Sequence, residues 1–142
     1  MMFQVFKFLM ITHLLAGMNA GSTPPEQGYE LRLQLQHIMI SKGTFYIAIY
    51  NNEKEFMKNA YVKKSVPADQ PMSMQVNFNN LPAGDYSVTI FQDLNGNGKL
   101  DKLFNLPTEP YGLSNNPAAF PTYENTRVHI DKNTLLKIKI KN

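Results

Sequence analysis

The 142-residue chain contains no cysteine, so neither a disulfide nor a thiolate-ligated metal can hold the fold, and no thiol is available to carry a lipid anchor. Charge of one sign is scarce as well. The formal net charge is +3, and the basic residues are dispersed apart from Lys63-Lys64 and the alternating Lys137, Lys139 and Lys141. Such alternation marks the solvated face of a strand and argues against a polyanion-binding stripe, so nucleic acid is not an expected partner. Long apolar runs are also missing: Phe8 to Ala16, broken by Thr12 and His13, falls well short of the ~20 residues that a membrane-spanning helix needs. With Lys7 before it and small residues after it, ending at Ala20, this run predicts a secretory signal peptide over residues 1–20. The expectation is an exported protein, periplasmic or extracellular, with no transmembrane segment in the mature chain.

Removing that segment leaves roughly 120 residues, a size that buries about two-thirds of the surface exposed by its unfolded chain. One domain with a packed core is therefore affordable without staples. Residues 21–28, with two prolines, read as a flexible leader ahead of a domain over 29–142. Within it the apolar residues recur every second position: Tyr29, Leu31, Leu33 and Leu35; Phe45, Ile47 and Ile49; Met72, Met74, Val76 and Phe78; Tyr86, Val88 and Ile90. A period of two places each set on one face of a strand, where a helix would scatter it. Weaker candidates are Ala60 to Val66, Arg127 to Ile130 and Leu135 to Ile140, and Asn51-Asn52 can cap a short helical connector through Asn59. About seven short strands, turn residues at regular intervals and almost no helix predict an all-β, two-sheet sandwich.

The interruption is Leu94 to Asn125, far longer than the ~12–15 residues of an ordinary structureless loop. Its apolar residues Leu100, Leu103, Phe104, Leu106, Tyr111, Leu113, Phe120 and Tyr123 are expected to anchor it, which a disordered tail could not do. It opens with Asp93-Leu-Asn-Gly-Asn-Gly-Lys-Leu-Asp101. Counted from Asp93, side-chain oxygens fall at positions 1, 3, 5 and 9 (Asp93, Asn95, Asn97, Asp101) and the Lys99 carbonyl at position 7, the pattern by which a calcium loop wraps a hard cation. Gly98 occupies position 6, where the sharp turn needs glycine. Position 12 is Phe104 in place of a bidentate Glu, so a further ligand must come from elsewhere, and Glu109 is the next acid in the chain. The alternative is a tight polar turn of Asn, Asp and Gly that binds nothing.

Asp93 to Asp101, followed by Leu106-Pro-Thr-Glu-Pro-Tyr-Gly-Leu-Ser-Asn115, resembles the signature of the exported bacterial proteins grouped as domain of unknown function 2141. Leu81-Pro-Ala-Gly-Asp-Tyr86 and the Phe45 to Tyr50 strand match in order, so the resemblance spans most of the mature chain. It implies an immunoglobulin-like or transthyretin-like sandwich, exported, with no established activity. The family pattern usually has His before the first Asp, and here that position is Gln92. The Asp-rich run is also similar to calcium loops in repeat domains of some bacterial surface adhesins.

Nucleophilic catalysis is poorly supplied. Only His37 and His129 follow the signal segment, and neither neighbours a Ser in a Gly-flanked turn. The carboxylate pair that a small glycosidase-like hydrolase could use is Asp101 with Glu109. A non-catalytic role fits the inventory better. The expectation is an exported binding domain with a calcium-stabilised loop that presents a surface to a glycan or protein partner, with Tyr46, Tyr50, Tyr61, Tyr111 and Tyr123 as candidates for stacking.

Overall fold

The computed structural model describes residues 27–142; the expected signal peptide and the leader up to residue 26 lie outside the described residues. Every regular alternation is realised as strand. In chain order these are β1 (Tyr29–Ile38), β2 (Thr44–Tyr50), β3 (Val62–Pro67), β4 (Met72–Leu81), β5 (Gly84–Asp93), β6 (Lys102–Leu103), β7 (Leu106–Pro107), β8 (Tyr111–Leu113), β9 (Arg127–Ile130) and β10 (Thr134–Lys139). A four-residue helical turn, α1 (Tyr123–Thr126), precedes β9, and the connector after β2 is a 3-10 turn at Glu53–Glu55 capped by Asn52. No helix among the described residues is long and apolar enough to cross a membrane.

The strands form a two-sheet sandwich. One sheet has the order β10-β1-β4; the other runs β3-β2-β5-β8, with β9 pairing β5 beyond the end of β8. The inward sets close on one another: Leu31, Leu33 and Leu35 from the first sheet and Phe45, Ile49 and Val88 from the second are all 0 % exposed. Each such side chain contributes about 1.5–3 kcal/mol by leaving water. Central β1 pairs antiparallel with β4 and parallel with β10, so the first and last strands of the domain lie side by side. Gly112 on β8 faces this core opposite Ile90, and an added Cβ there would lie 2.7 Å from Ile138 Cγ2 and 3.0 Å from Ile140 Cδ1. Glycine at this position lets the short β8 close against β10.

The long interruption is more structured than its sequence suggests. It holds the hairpin β6–β7, strand β8 and α1. The expected anchoring also needs correction: Leu113 and Tyr123 are buried, but Leu103, Phe104, Leu106 and Phe120 are 60–90 % exposed. The hairpin has a two-residue turn, Phe104-Asn105, with both φ angles positive as a type I′ turn demands. That turn carries its apolar side chains away from the core.

Candidate functional site

Strand pairing decides what the second sheet shows to its outer side. Ser65 pairs with Tyr46, Tyr46 with Phe91, and Phe91 with Tyr111. One row of outward side chains thus crosses four strands, and within it the Tyr46 and Phe91 rings are stacked with centroids 5.1 Å apart and planes 14° from parallel. The adjacent row is Lys63, Ala48, Thr89 and Leu113. Its two middle members are small, which deepens the sheet surface beside the aromatic row. At the far end Tyr50 meets Phe56 edge-on, and Phe56 meets Tyr123 in turn, at 5.4 and 6.0 Å between centroids.

The long interruption flanks this floor on both sides. Residues from Gly98 to Pro107 border one side, and Pro117 to Pro121 border another, enclosing an open groove of about 990 Å³. Of the five tyrosines singled out in the sequence, Tyr46, Tyr50 and Tyr111 line the groove. Tyr61 instead sits 6.2 Å from the Tyr86 ring, and the Tyr123 hydroxyl donates to the Asp85 carbonyl at 2.9 Å. Alternation gives the face of Ala48, Thr89 and Phe91 but not their cross-strand neighbours, so their gathering into one surface beside Pro117–Pro121 is not legible in the sequence.

The oxygen-rich loop is the buttress of the hairpin side. Asp93 is 1 % exposed, and its carboxylate accepts the Gly96 N–H on Oδ1 and the Gly98 N–H on Oδ2, both at 2.7 Å. Gly96 and Gly98 have φ of +79° and +71°, which aims their N–H groups inward at the carboxylate. Burial alone would raise the Asp93 pKa; the N–H groups of Gly98, Gly96, Asn97 and Asn95 outweigh it and hold the carboxyl below its usual range. Asn95 and Asn97 both donate through their side-chain amides to Asp101, on Oδ2 and Oδ1 respectively. The Lys99 N–H donates to Asn97 Oδ1 at 2.8 Å. Glu109, 6 % exposed, accepts the Leu94 N–H on Oε1 at 2.8 Å and the Asp101 N–H on Oε2 at 3.1 Å, pinning the two ends of the loop together. Backbone bonds from Gln92 N–H to Pro110 C=O and from Thr108 N–H to Asp101 C=O complete the neck.

The predicted ligand set therefore divides. Asn95, Asn97 and Asp101 are brought together; Asp93 turns inward to the glycine N–H groups; Glu109 serves the neck. Among the described residues no group of three or more His, Asp or Glu side chains is gathered as metal-binding groups are. Gln92, in the position where the related pattern usually has His, is 1 % exposed and donates through its amide to both the Ile40 and Lys42 carbonyls. A carboxamide nitrogen has two N–H groups for two acceptors, so its role is to fasten the β1–β2 turn to β5. His37 is exposed at a bulge in β1, and His129 Nδ1 lies 2.7 Å from Asp85 Oδ1 on the surface.

A mostly antiparallel two-sheet sandwich thus carries an ordered loop beside an open sheet-face groove. The chain belongs to the family of uncharacterized proteins conserved in bacteria, DUF2141, whose profile matches residues 33–137. Neither a curated protein nor a solved structure matches it.

Proposed function

We propose that this is an exported, non-catalytic binding domain whose ligand lies in the outer-face groove. The observation that carries this reading is the stacked Tyr46–Phe91 pair, half-buried on a concave, otherwise uncovered sheet face. Aromatic rings held flat by a sheet lose little freedom when a ligand covers them, which favours binding. A sugar ring of a glycan or a side chain of a protein partner can stack there. The periplasm or extracellular space, reached through the signal peptide, is where such a partner is met.

Calcium enters this reading as a stabiliser of the hairpin side. Asn95, Asn97 and Asp101 already meet, and half a turn of each amide exchanges its nitrogen for its oxygen, with the loss of the Asn97 and Lys99 N–H bonds that the two oxygens now accept. These oxygens and the Lys99 carbonyl would hold the ion, while Asp93 and Glu109 keep their N–H partners and supply charge nearby. Neither Asp101 nor Glu109 lines the groove, so the hydrolase alternative has no observation in its favour.

The test is an amide chemical-shift map of the mature protein against a panel of oligosaccharides, peptides and amphiphiles. Binding must perturb outward residues of β2, β5 and β8, and Phe91→Ala must weaken it. Binding that perturbs only surfaces away from the groove would sink the reading.

A further inference from the structure

We infer that the groove takes an anionic amphiphile, a linear acyl chain ending in a carboxylate; this rests on the groove being the binding site. Three observations carry it. The first is polarity. Ligand hydroxyls removed from water require hydrogen-bond partners, and each one left without a partner is costly. The lining includes a single carboxamide side chain, Asn105, and no Asp, Glu, Gln, His or Arg; its other side-chain polar groups are the hydroxyls of Tyr46, Tyr50, Ser65, Thr89 and Tyr111 and four lysine ammonium groups. The planar amide and carboxylate groups that can take two hydroxyls of one sugar are thus nearly absent, whereas an acyl chain asks for none.

The second observation is the exposed apolar surface along the sides. Leu106 on β7 and Phe120 in the Pro117–Pro121 segment border the groove and are 70 % and 80 % exposed, and Met57 near the Tyr50 end is 48 % exposed. A chain laid along the floor covers these together with the half-buried Ala48 and Phe91. Removing that apolar area from water is the driving force.

The third is charge. Four lysines line the groove and no acid does. Lys64 is drawn away to the Asn77 carbonyl and Lys141 to the Pro117 carbonyl, both through Nζ. Lys63 on β3 and Lys102 on β6 are exposed and have no ion-pair or hydrogen-bond partner for their ammonium groups among the described residues. They stand on the sheet and hairpin sides of the groove, free to meet a carboxylate at an end of the chain.

The experiment titrates the mature protein with monomeric dodecanoate, following amide shifts, beside dodecanol, dodecyltrimethylammonium, cellohexaose and an acidic peptide. Dodecanoate is expected to shift the outward residues of β2, β5 and β8 and to bind at least about tenfold more tightly than the neutral or cationic analogues. Lys63→Ala with Lys102→Ala, both at exposed positions, should remove that preference while leaving the fold intact by thermal midpoint. Equal binding of the three amphiphiles would overturn the carboxylate requirement. Preferential binding of cellohexaose or of the peptide in the groove would overturn the acyl chain while sparing the groove; shifts confined to other surfaces, or none with any member of the panel, would overturn both.

Discussion

Glu109→Ala tests whether the loop owes its order to one clasp. The carboxylate is buried at 6 % exposure and accepts two backbone N–H groups fifteen and eight residues back along the chain, Leu94 at 2.8 Å and Asp101 at 3.1 Å. A hydrogen bond to a charged acceptor is worth about 1.5–3 kcal/mol net. Alanine leaves both donors without their acceptor, but Asp101 is only half-buried and water can reach its N–H, which takes the pair to the lower end. The expected loss is about 2–4 kcal/mol. For a domain of this size each kcal/mol moves the thermal midpoint by roughly 3–5 °C, so the midpoint should fall by about 6–20 °C. Glu109→Gln should be intermediate, because its oxygen still accepts one N–H while its NH₂ faces the other donor. Thermal unfolding at neutral pH gives the midpoint, and hydrogen exchange gives the location, with faster exchange expected at the Leu94 and Asp101 amides. A midpoint within about 2 °C of the parent, with unchanged exchange at those amides, refutes the clasp.

Asp93 and the cation reading give two more expectations. The Asp93 pKa is depressed in the fold, so its contribution is in place above the ordinary aspartate pKa of about 3.9 and is lost as pH falls through the lower folded value. The Gly96 and Gly98 amide resonances should therefore hold steady down to about pH 4 and move only below it; movement near pH 6 would contradict the assignment. For calcium, an affinity on the order of 10⁻⁴ to 10⁻³ M is expected of a weak extracellular site, so the ion at about 10 mM, roughly ten- to hundredfold over Kd, adds about 1.4–2.7 kcal/mol. Calcium at that concentration should raise the midpoint over chelator by several degrees, and Asp101→Asn should shrink that rise. An unchanged midpoint removes calcium from the account.

The legible part of the site was its chemistry, and the hidden part was its shape. Asp93, Asn95, Asn97 and Asp101 could be picked out because oxygen-bearing side chains at alternate positions between glycines force a turn, whatever its ligand. Glu109 reads in the sequence as a spare acid, but its task of joining Leu94 to Asp101 depends on the neck bonds, which sequence spacing does not specify. The exposure of Phe104 and Phe120 ran against their apolar character. Hydrophobicity says what a residue gains by burial, and a two-residue turn or an edge segment decides whether burial is within reach.

By itself the sequence determined the strands and their faces. A period of two has one geometric solution, so Leu31, Leu33 and Leu35 or Phe45, Ile47 and Ile49 could only line one side of an extended chain. The all-β sandwich follows from such faces needing partners. Only the tertiary structure decided which strands meet: that β10 runs parallel beside β1, that Gly112 admits β8 against Ile138, and that Tyr46, Phe91 and Tyr111 fall in one row. Those are choices of register between segments far apart in the chain. Register is fixed by the fit of whole faces in the folded core, and no local pattern encodes it.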